Sequence, residues 1–319
     1  MELLGIDIGG TKCAVVRGNA QGEILCKESV PTTTVEETLN WILQTAERLK
    51  GESVAIGISC GGPLDSEKGV ILSPPNLPDW DEVEIVRMLE EKLQIPAYLC
   101  NDANACALAE WKFGAGRGCK NMIFLTFGTG LGAGLILDGK LYAGTNGNAG
   151  EVGHIRLSDF GPVGYGKQGS FEGFASGGGI ALLGKSFALE AIQLGVKPSY
   201  CKDLSELDTI TAKSIAAAAN EGDLTACRVY ETTGKMLGKG LAILIDILNP
   251  ERIVIGSIFQ RAENLLRKAM EDAICKEALP AAAEVVKVLP AELGEHLGDC
   301  AALALALVCA EEKEGSYVQ

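Results

Sequence analysis

Short apolar runs punctuated by glycine open the chain. Residues 3–8 read as a buried strand that stops at Gly9-Gly10. Residues 12–17 and 23–30 alternate well enough for two more strands, with 18–22 as the turn between them. The spacing then turns helical. Leu39, Ile42, Leu43, Ala46 and Leu49 share one face of a helix over 35–50, which Thr34 caps and whose positive end suits Glu36 and Glu37. A strand at 53–58 runs into Gly61-Gly62-Pro63. An amphipathic helix covers 81–93, a strand covers 97–100, and a helix over 103–113 starts behind Asn101 or Asp102 as its cap.

Residues 1–113 therefore read β-β-β-α-β-α-β-α, the order of a mixed sheet with helices packed on it. Gly114 to Gly118 marks a hinge or boundary. Beyond it the pattern starts again with strand-like segments at 122–127, 134–137 and 140–143. A glycine-rich region extends to Gly179. A mostly helical part follows, with its longest helix at 225–248, closed by Pro250. A buried strand at 252–255 comes next, then helices at 262–276 and 296–310 around a strand at 285–289. The repeated opening predicts an α/β protein of two related domains around a cleft, in keeping with a length of 319 residues.

Composition narrows the chemistry. With 28 basic against 42 acidic residues and no basic run longer than two, a nucleic-acid or anionic-membrane surface is disfavoured. The apolar stretch 301–310 is far shorter than the roughly 20 residues that span a bilayer. No basic leader precedes Glu2 and Asp7, so a cytoplasmic protein is expected. Eleven cysteines, scattered singly and without C-x-x-C, suit reduced core positions. Glycine is the outlier: 40 of 319, nearly twice the average near 7%, and clustered between apolar runs as in loops that approach a ligand.

Three segments match phosphate-loop patterns. Gly179-Ile-Ala-Leu-Leu-Gly184-Lys185-Ser186 has the spacing of a P-loop, but its intervening residues are all apolar and continue a helical spacing that starts near Ser176. Gly164-Tyr-Gly166-Lys-Gln-Gly169 matches G-x-G-x-x-G without the β-α setting that a dinucleotide needs. The third comes as a pair. Asp7-Ile-Gly9-Gly10-Thr11-Lys12 joins two predicted strands, and Phe127-Gly128-Thr129-Gly130-Leu-Gly132 joins two more. Two such turns offer bare N–H groups and hydroxyls to a phosphate chain, with Asp7 to hold a divalent ion, directly or through water, and Lys12 beside the phosphates.

Together with Ile253-Val-Ile-Gly256-Ser257, these turns resemble the phosphate-1, phosphate-2 and adenosine motifs of the sugar kinase/actin/heat-shock-ATPase superfamily. Asn101-Asp102-Ala-Asn104-Ala and Gly150-Glu151-Val-Gly153-His154 narrow the resemblance to the ROK family of sugar kinases and sugar-responsive repressors, from about residue 3 to about 308. It implies two RNase H-like domains with mixed sheets flanked by helices and the active site in the interdomain cleft. The small domain would be 1–115 plus about 298–319 and the large one 116–297. It further implies ATP with Mg²⁺, a sugar substrate and a homodimer. ATP would be held by Asp7, Gly9, Gly10, Thr11, Lys12, Gly128, Thr129, Gly130 and Gly256. Asp102 would be the general base, and Gly62, Asn76, Asn101, Glu151, His154 and Glu172 would hold the sugar. Glucose phosphorylated at O6 is the default, with N-acetylmannosamine, N-acetylglucosamine, allose, fructose and β-glucosides as alternatives. A non-catalytic sugar sensor is the rival. Asn and carboxylate side chains suit a ring of hydroxyls, each of which donates and accepts.

One segment departs from the family. Most ROK kinases follow G-E-x-G-H with C-x-C-G-x-x-G-C-x-E, whose cysteines hold a structural zinc with the histidine. This chain has Val163, Tyr165 and Ser170 at those positions, so no zinc is expected and the loop must be ordered in another way. Gly256-Ser257 also stands where the family has Gly-Gly.

Overall fold

In the computed structural model, which describes residues 1–316, the opening strands form a meander. β1 (Glu2–Ile8) pairs antiparallel with β2 (Lys12–Asn19), and β2 with β3 (Ile24–Pro31). α1 (Val35–Leu49) follows, with Thr34 Oγ1 accepting the Glu37 N–H as its cap. β4 (Ser53–Cys60) leads to a small hairpin of β5 (Leu64–Asp65) and β6 (Val70–Ile71). α2 (Ile85–Leu93), β7 (Ala97–Asn101) and α3 (Asp102–Phe113) complete this part. α2 starts later than the predicted position 81, because Val83 and Ile71 exchange backbone hydrogen bonds of 3.0 Å and hold 83 in extended form.

The first sheet has the order β3-β2-β1-β4-β7, with β1, β4 and β7 parallel. Ile42, Ala46, Leu89 and Leu93 of α1 and α2 pack with Ile6, Ile8, Ile56 and Ile58 in one core cluster. A second cluster joins Leu3, Val16 and Ala55 to Leu303, Ala306 and Leu307 of the final helix. A Cβ at Gly57 would overlap the Ala302 carbonyl, so glycine there lets that helix approach the sheet at backbone distance.

The pattern then repeats. β8 (Met122–Phe127), β9 (Leu131–Leu137) and β10 (Lys140–Leu141) are followed by a hairpin of β11 (Val163–Gly164) and β12 (Lys167–Gln168). The helices α4 (Phe171–Phe174), α5 (Gly177–Gln193), α6 (Ala212–Asn220) and α7 (Leu224–Leu248) come next. β13 (Arg252–Ile255), α8 (Ile258–Glu277), α9 (Pro280–Ala283), β14 (Lys287–Pro290) and α10 (Leu297–Ser316) close the chain. The second sheet runs β10-β9-β8-β13-β14, the order of the first with each strand replaced by its counterpart. The duplication expected from the two β-β-β openings is thus present in the topology, and the fold is α/β with mixed sheets flanked by helices.

Two compact units result, one of residues 1–124, 134–149 and 292 onward, the other of 125–133 and 150–291. In the first unit the glycines at 114 and 116 are packing positions. A Cβ at Gly114 would overlap the carboxylate of Glu110, and one at Gly116 would overlap the Met122 sulfur. Glu110, fully buried, accepts the N–H groups of Ala115 (2.8 Å), Glu292 (3.0 Å) and Leu293 (3.0 Å) and so ties the end of α3 to the segment before α10. The P-loop match at 179–186 lies inside α5, capped by Ser176, and the 164–169 match lies in the β11–β12 hairpin. No helix of the described residues is long and apolar enough to cross a membrane, and all eleven cysteines are free thiols.

Candidate active site

The carboxyl ends of β1, β4 and β7 place most of the predicted residues of the first unit along one sheet edge. Ile8 pairs with Cys60, and Cys60 with Asn101, so the turn after β1, the Gly61-Gly62 segment and the start of α3 emerge side by side. That edge is where ligands gather in sheets with parallel strands. The turn itself is closed by the Gly9 N–H donating to the Lys12 carbonyl (3.1 Å) and by Thr32, whose hydroxyl donates to the Gly9 carbonyl (2.6 Å). Thr11 and Lys12 are exposed on it. A Cβ at Gly10 would run into the backbone of Asn76, which sits exposed beside the turn.

Asp7 stands at the base of this turn. Its carboxylate faces the start of α10, with Oδ2 2.9 Å from where a Cβ on Gly298 would lie. Burial, then the charges of Asp299 and Asp102, push its pKa up to about 6, against the pull of Lys12 and Lys27. Asp299 is itself buried and pairs with Lys27 at 2.5 Å. Neither residue was picked out from the sequence. The available signal is one aspartate in the first turn of α10, directly ahead of the apolar stretch 300–310.

Of the two possible caps of α3, Asn101 is the one used: its Oδ1 accepts the Asn104 N–H (3.1 Å). Asn101 also faces Gly62, its Nδ2 3.9 Å from a Cβ built there. Asp102 is thereby released from capping the later N–H groups. One of its oxygens accepts the Ala103 N–H (2.8 Å). Asp102 is exposed to solvent on one side, while the protein packed around the rest of it desolvates the carboxylate. Desolvation raises its pKa, against the N–H groups of Ala103 and of Asp102 itself. The result is a carboxylate more basic than an ordinary aspartate.

The predicted residues of the second unit form their own cluster. Gly128 donates its N–H to the Gly130 carbonyl (3.1 Å) and accepts from the Gly177 N–H (2.8 Å), while Thr129 is exposed between them. Glu172 Oε2 accepts the Leu131 N–H (3.0 Å) and lies 2.8 Å from a Cβ built at Gly130. Gly153 packs on the Leu131 carbonyl and the Glu172 side chain. The Glu151-to-His154 segment is therefore stacked against the second glycine turn through Glu172, with Glu151 and His154 exposed. Gly256, buried, donates to the Leu125 carbonyl (3.0 Å) at the end of β13.

The 161–172 loop is ordered by its own hydrogen bonds. Tyr165 (φ 44°) and Gly166 (φ 75°) form the two-residue turn of the β11–β12 hairpin, both left-handed as such turns require. Gly169 donates to the Pro162 carbonyl (2.9 Å), and its own carbonyl accepts from Leu157 (2.9 Å) and Ser158 (3.2 Å). Ser170, fully buried, caps α4 through the Gly173 N–H (3.1 Å). The exposed Tyr165 ring meets His154 edge-on with centroids 5.2 Å apart, and Lys167 donates to the His154 carbonyl at 2.5 Å.

Neither Val163 nor Tyr165 nor the hydrogen-bonded Ser170 replaces a thiolate, so the segment does not fit a structural zinc. Among the described residues no group of three or more His, Cys, Asp or Glu is disposed to hold a metal. Asp7 does fit Mg²⁺, which needs only one or two carboxylates when water and substrate phosphates supply the rest. Its neighbours Asp299 and Asp102 add negative charge that a cation would relieve.

A duplicated α/β fold, with a charged turn at one sheet edge and a glycine turn at its counterpart, defines the class of protein. The chain belongs to the ROK family, which it matches over residues 3–308. It is 33% identical over 307 residues to a glucokinase of Halalkalibacterium halodurans, covering 92% of each chain. It is 31% identical over 313 residues to the transcriptional dual regulator NagC of Escherichia coli, covering 95% of this chain and 74% of NagC. Among solved structures, a ROK hexokinase from Thermus thermophilus superposes with a TM-score of 0.82 at 29% identity, over 98% of this chain and all of that one. A ROK glucokinase from Streptomyces griseus in complex with glucose and AMPPNP has a TM-score of 0.74 at 31% identity, over 96% and 99% of the two chains.

Proposed function

We propose that this protein is an ATP-dependent, Mg²⁺-requiring kinase that phosphorylates a hexose hydroxyl, glucose O6 being the first candidate. The observation that carries the reading is Asp102: its neighbour does the capping, leaving Asp102 as a carboxylate of raised basicity on the same sheet edge as Asp7 and Lys12. The kinship with glucokinases, one of them solved with glucose and AMPPNP, supports the substrate class.

In this reading Asp102 accepts the proton of the sugar hydroxyl as that oxygen bonds to the γ-phosphorus. The bond from phosphorus to the β–γ bridging oxygen breaks, and ADP leaves. Gly62, Asn76, Asn101, Glu151, His154 and Glu172 are assigned to the sugar. Gly9, Gly10, Thr11, Lys12, Gly128, Thr129, Gly130 and Gly256 are assigned to the nucleotide. Mg²⁺, held by Asp7 directly or through water, would neutralise the phosphate chain in a protein of net charge −14.

The rival is a sugar sensor without turnover, which the kinship with NagC favours. Retention of Asp7, Lys12 and Asp102 weighs against it. ADP release measured with a panel of hexoses and N-acetylated amino sugars decides between them. A sugar that binds tightly without ADP release would establish the sensor.

A further inference from the structure

Ser257 stands in a backbone conformation that serine rarely occupies. Its φ of 56° with ψ of −107° lies outside the left-handed helical well, in territory that glycine tolerates far better. Its surroundings hold it there. The Ser257 N–H donates to Gln260 Oε1 (3.0 Å), and Gln260 Nε2 donates to the Ala291 carbonyl (2.7 Å). The hydroxyl closes a capping box with the Gln260 backbone N–H at the start of α8 and has two further neighbours. It lies 3.7 Å from the place of a Cβ on Gly128, so it faces the second glycine turn, and it accepts from Arg261 Nη2 at 3.0 Å.

Arg261 is exposed and differs from Arg267 and Lys268 in the middle of α8. Arg267 pairs with Glu263 and Glu271, and Lys268 with Asp272, each four residues away. Arg261 has no acid at helical spacing; the residues three and four away are Ile258, Ser257, Asn264 and Leu265. Among the described residues it pairs with no carboxylate, although acids outnumber bases 42 to 28. One donor of its fork is fixed on Ser257, and the remaining N–H groups are uncommitted to any acid.

We propose that Arg261 binds the phosphate chain of the nucleotide at the Gly128–Gly130 turn, and that Ser257 keeps its glycine-like conformation because its hydroxyl aims that guanidinium. Arg261 is then a substrate-binding residue and Ser257 a positioning residue. The inference rests on the reading that this turn holds the nucleotide. A planar guanidinium suits phosphate oxygens better than an ammonium does, because it presents two parallel N–H donors.

The test is equilibrium binding by the full-length protein of AMPPNP with Mg²⁺, of inorganic triphosphate and of adenosine, with sugar affinity as a control. R261A should weaken AMPPNP and triphosphate at least tenfold and leave adenosine and sugar unchanged. R261K should recover part of the loss. S257G relieves the backbone but removes the capping hydroxyl from the start of α8, and it should weaken AMPPNP three- to tenfold in the folded protein. In the S257G/R261A double variant the loss should match that of R261A alone, since Ser257 acts through the arginine. A folded S257G with full AMPPNP affinity would overturn the positioning role. R261A with unchanged affinity, or with an equal loss for adenosine, would overturn the phosphate contact while wild-type binding leaves the kinase reading intact. A wild-type protein that binds no AMPPNP overturns both.

Discussion

The turn after β1 and the turn after β8 hold the same place in two sheets of the same strand order, and they are furnished in different ways. The first is ringed by ionised side chains: Asp7 at its base, Lys12 on it, and Asp102, Asp299 and Lys27 close enough to act on Asp7. The second carries no charged residue of its own between Gly128 and Leu131. It is held by Glu172 on the Leu131 N–H, by the Gly177 N–H on Gly128, and faced by Ser257. Duplication supplies the same backbone twice; substitution has put Asp7 and Lys12 on the first copy and left the second with bare peptide groups of its own, its charge brought from outside the turn by Glu172. In the proposed kinase the first turn is suited to the reacting groups and their cation, the second to holding a phosphate chain by backbone donors.

The strongest way to break this contrast is at Asp102. Asp102→Asn keeps the size and an acceptor for the Ala103 N–H but removes the base, and general-base loss is typically worth about 10²–10⁴ in rate. Turnover should fall in that range, with sugar affinity within about threefold of wild type. Near-normal turnover in the purified variant would take Asp102 out of the mechanism. Its raised pKa also sets a direction: turnover should fall on acidification, at a pH above that of an ordinary aspartate, as Asp102 takes up a proton.

Asp7 sharpens the contrast through stability. Its folded-state pKa of about 6 exceeds the unfolded value near 3.9, so the folded form holds the proton more tightly. Its contribution therefore falls as pH rises from about 4 to about 6 and is constant above. Asp7→Asn removes that penalty. The variant should be more stable than wild type by about 1–3 kcal/mol at pH 8, an advantage that fades as pH drops from 6 to 4, while ATP turnover is lost. Urea unfolding at pH 8 and pH 4.5 reads this directly. An equal or lower stability at pH 8 would mean that the buried charge is already compensated.

Much of this arrangement was legible in the order of residues. The strands at 2–8 and 12–19 follow from apolar runs bounded by glycine, and the P-loop decoy was legible by its unbroken helical spacing. The 164–169 decoy was set aside for lack of a helix directly after it, yet the short α4 starts at Phe171; what excludes a dinucleotide turn is that 163–168 is itself a strand-turn-strand hairpin. Asn101 and Asp102 could be found but not told apart as cap and base, because adjacent residues share the local signal and only the backbone angles of α3 separate them. Asp299 and Lys27 were hidden for another reason. Asp299 reaches Asp7 through tertiary packing of α10 against β1, 292 residues along the chain, and Lys27 on β3 reaches it beside Asp299, neither of which a local pattern encodes. The β11–β12 hairpin escaped because its strands are two residues each, too short for any periodicity.

Glu172 tests the second turn at a smaller scale. Glu172→Gln keeps an acceptor for the Leu131 N–H, whereas Glu172→Ala leaves that donor without its charged partner, a hydrogen bond worth about 1.5–3 kcal/mol. Alanine should lower the melting temperature and raise the KM for both sugar and ATP. Glutamine should be near wild type in stability and raise the sugar KM alone, roughly tenfold, from the lost carboxylate acceptor. If both variants were stable and raised neither KM, Glu172 would belong to neither ligand.

The smallest effect is expected at Tyr165, where the contrast reaches the loop that packs beside His154. The ring contact at 5.2 Å limits the orientations of the His154 imidazole, and edge-to-face pairs of this kind are worth about 0.5–1.5 kcal/mol. Removing the ring also changes the turn, because residue 165 has a positive φ. Asparagine separates the two effects: it is favoured at the first position of such a turn and carries no ring. Tyr165→Asn should therefore keep or raise the melting temperature while raising the sugar KM two- to fivefold, with the KM for ATP unchanged. Tyr165→Phe keeps the ring and should match wild type in both. A Tyr165→Asn protein with an unaltered sugar KM would mean that the hairpin alone, through Lys167 and the backbone, holds His154 where the sugar needs it.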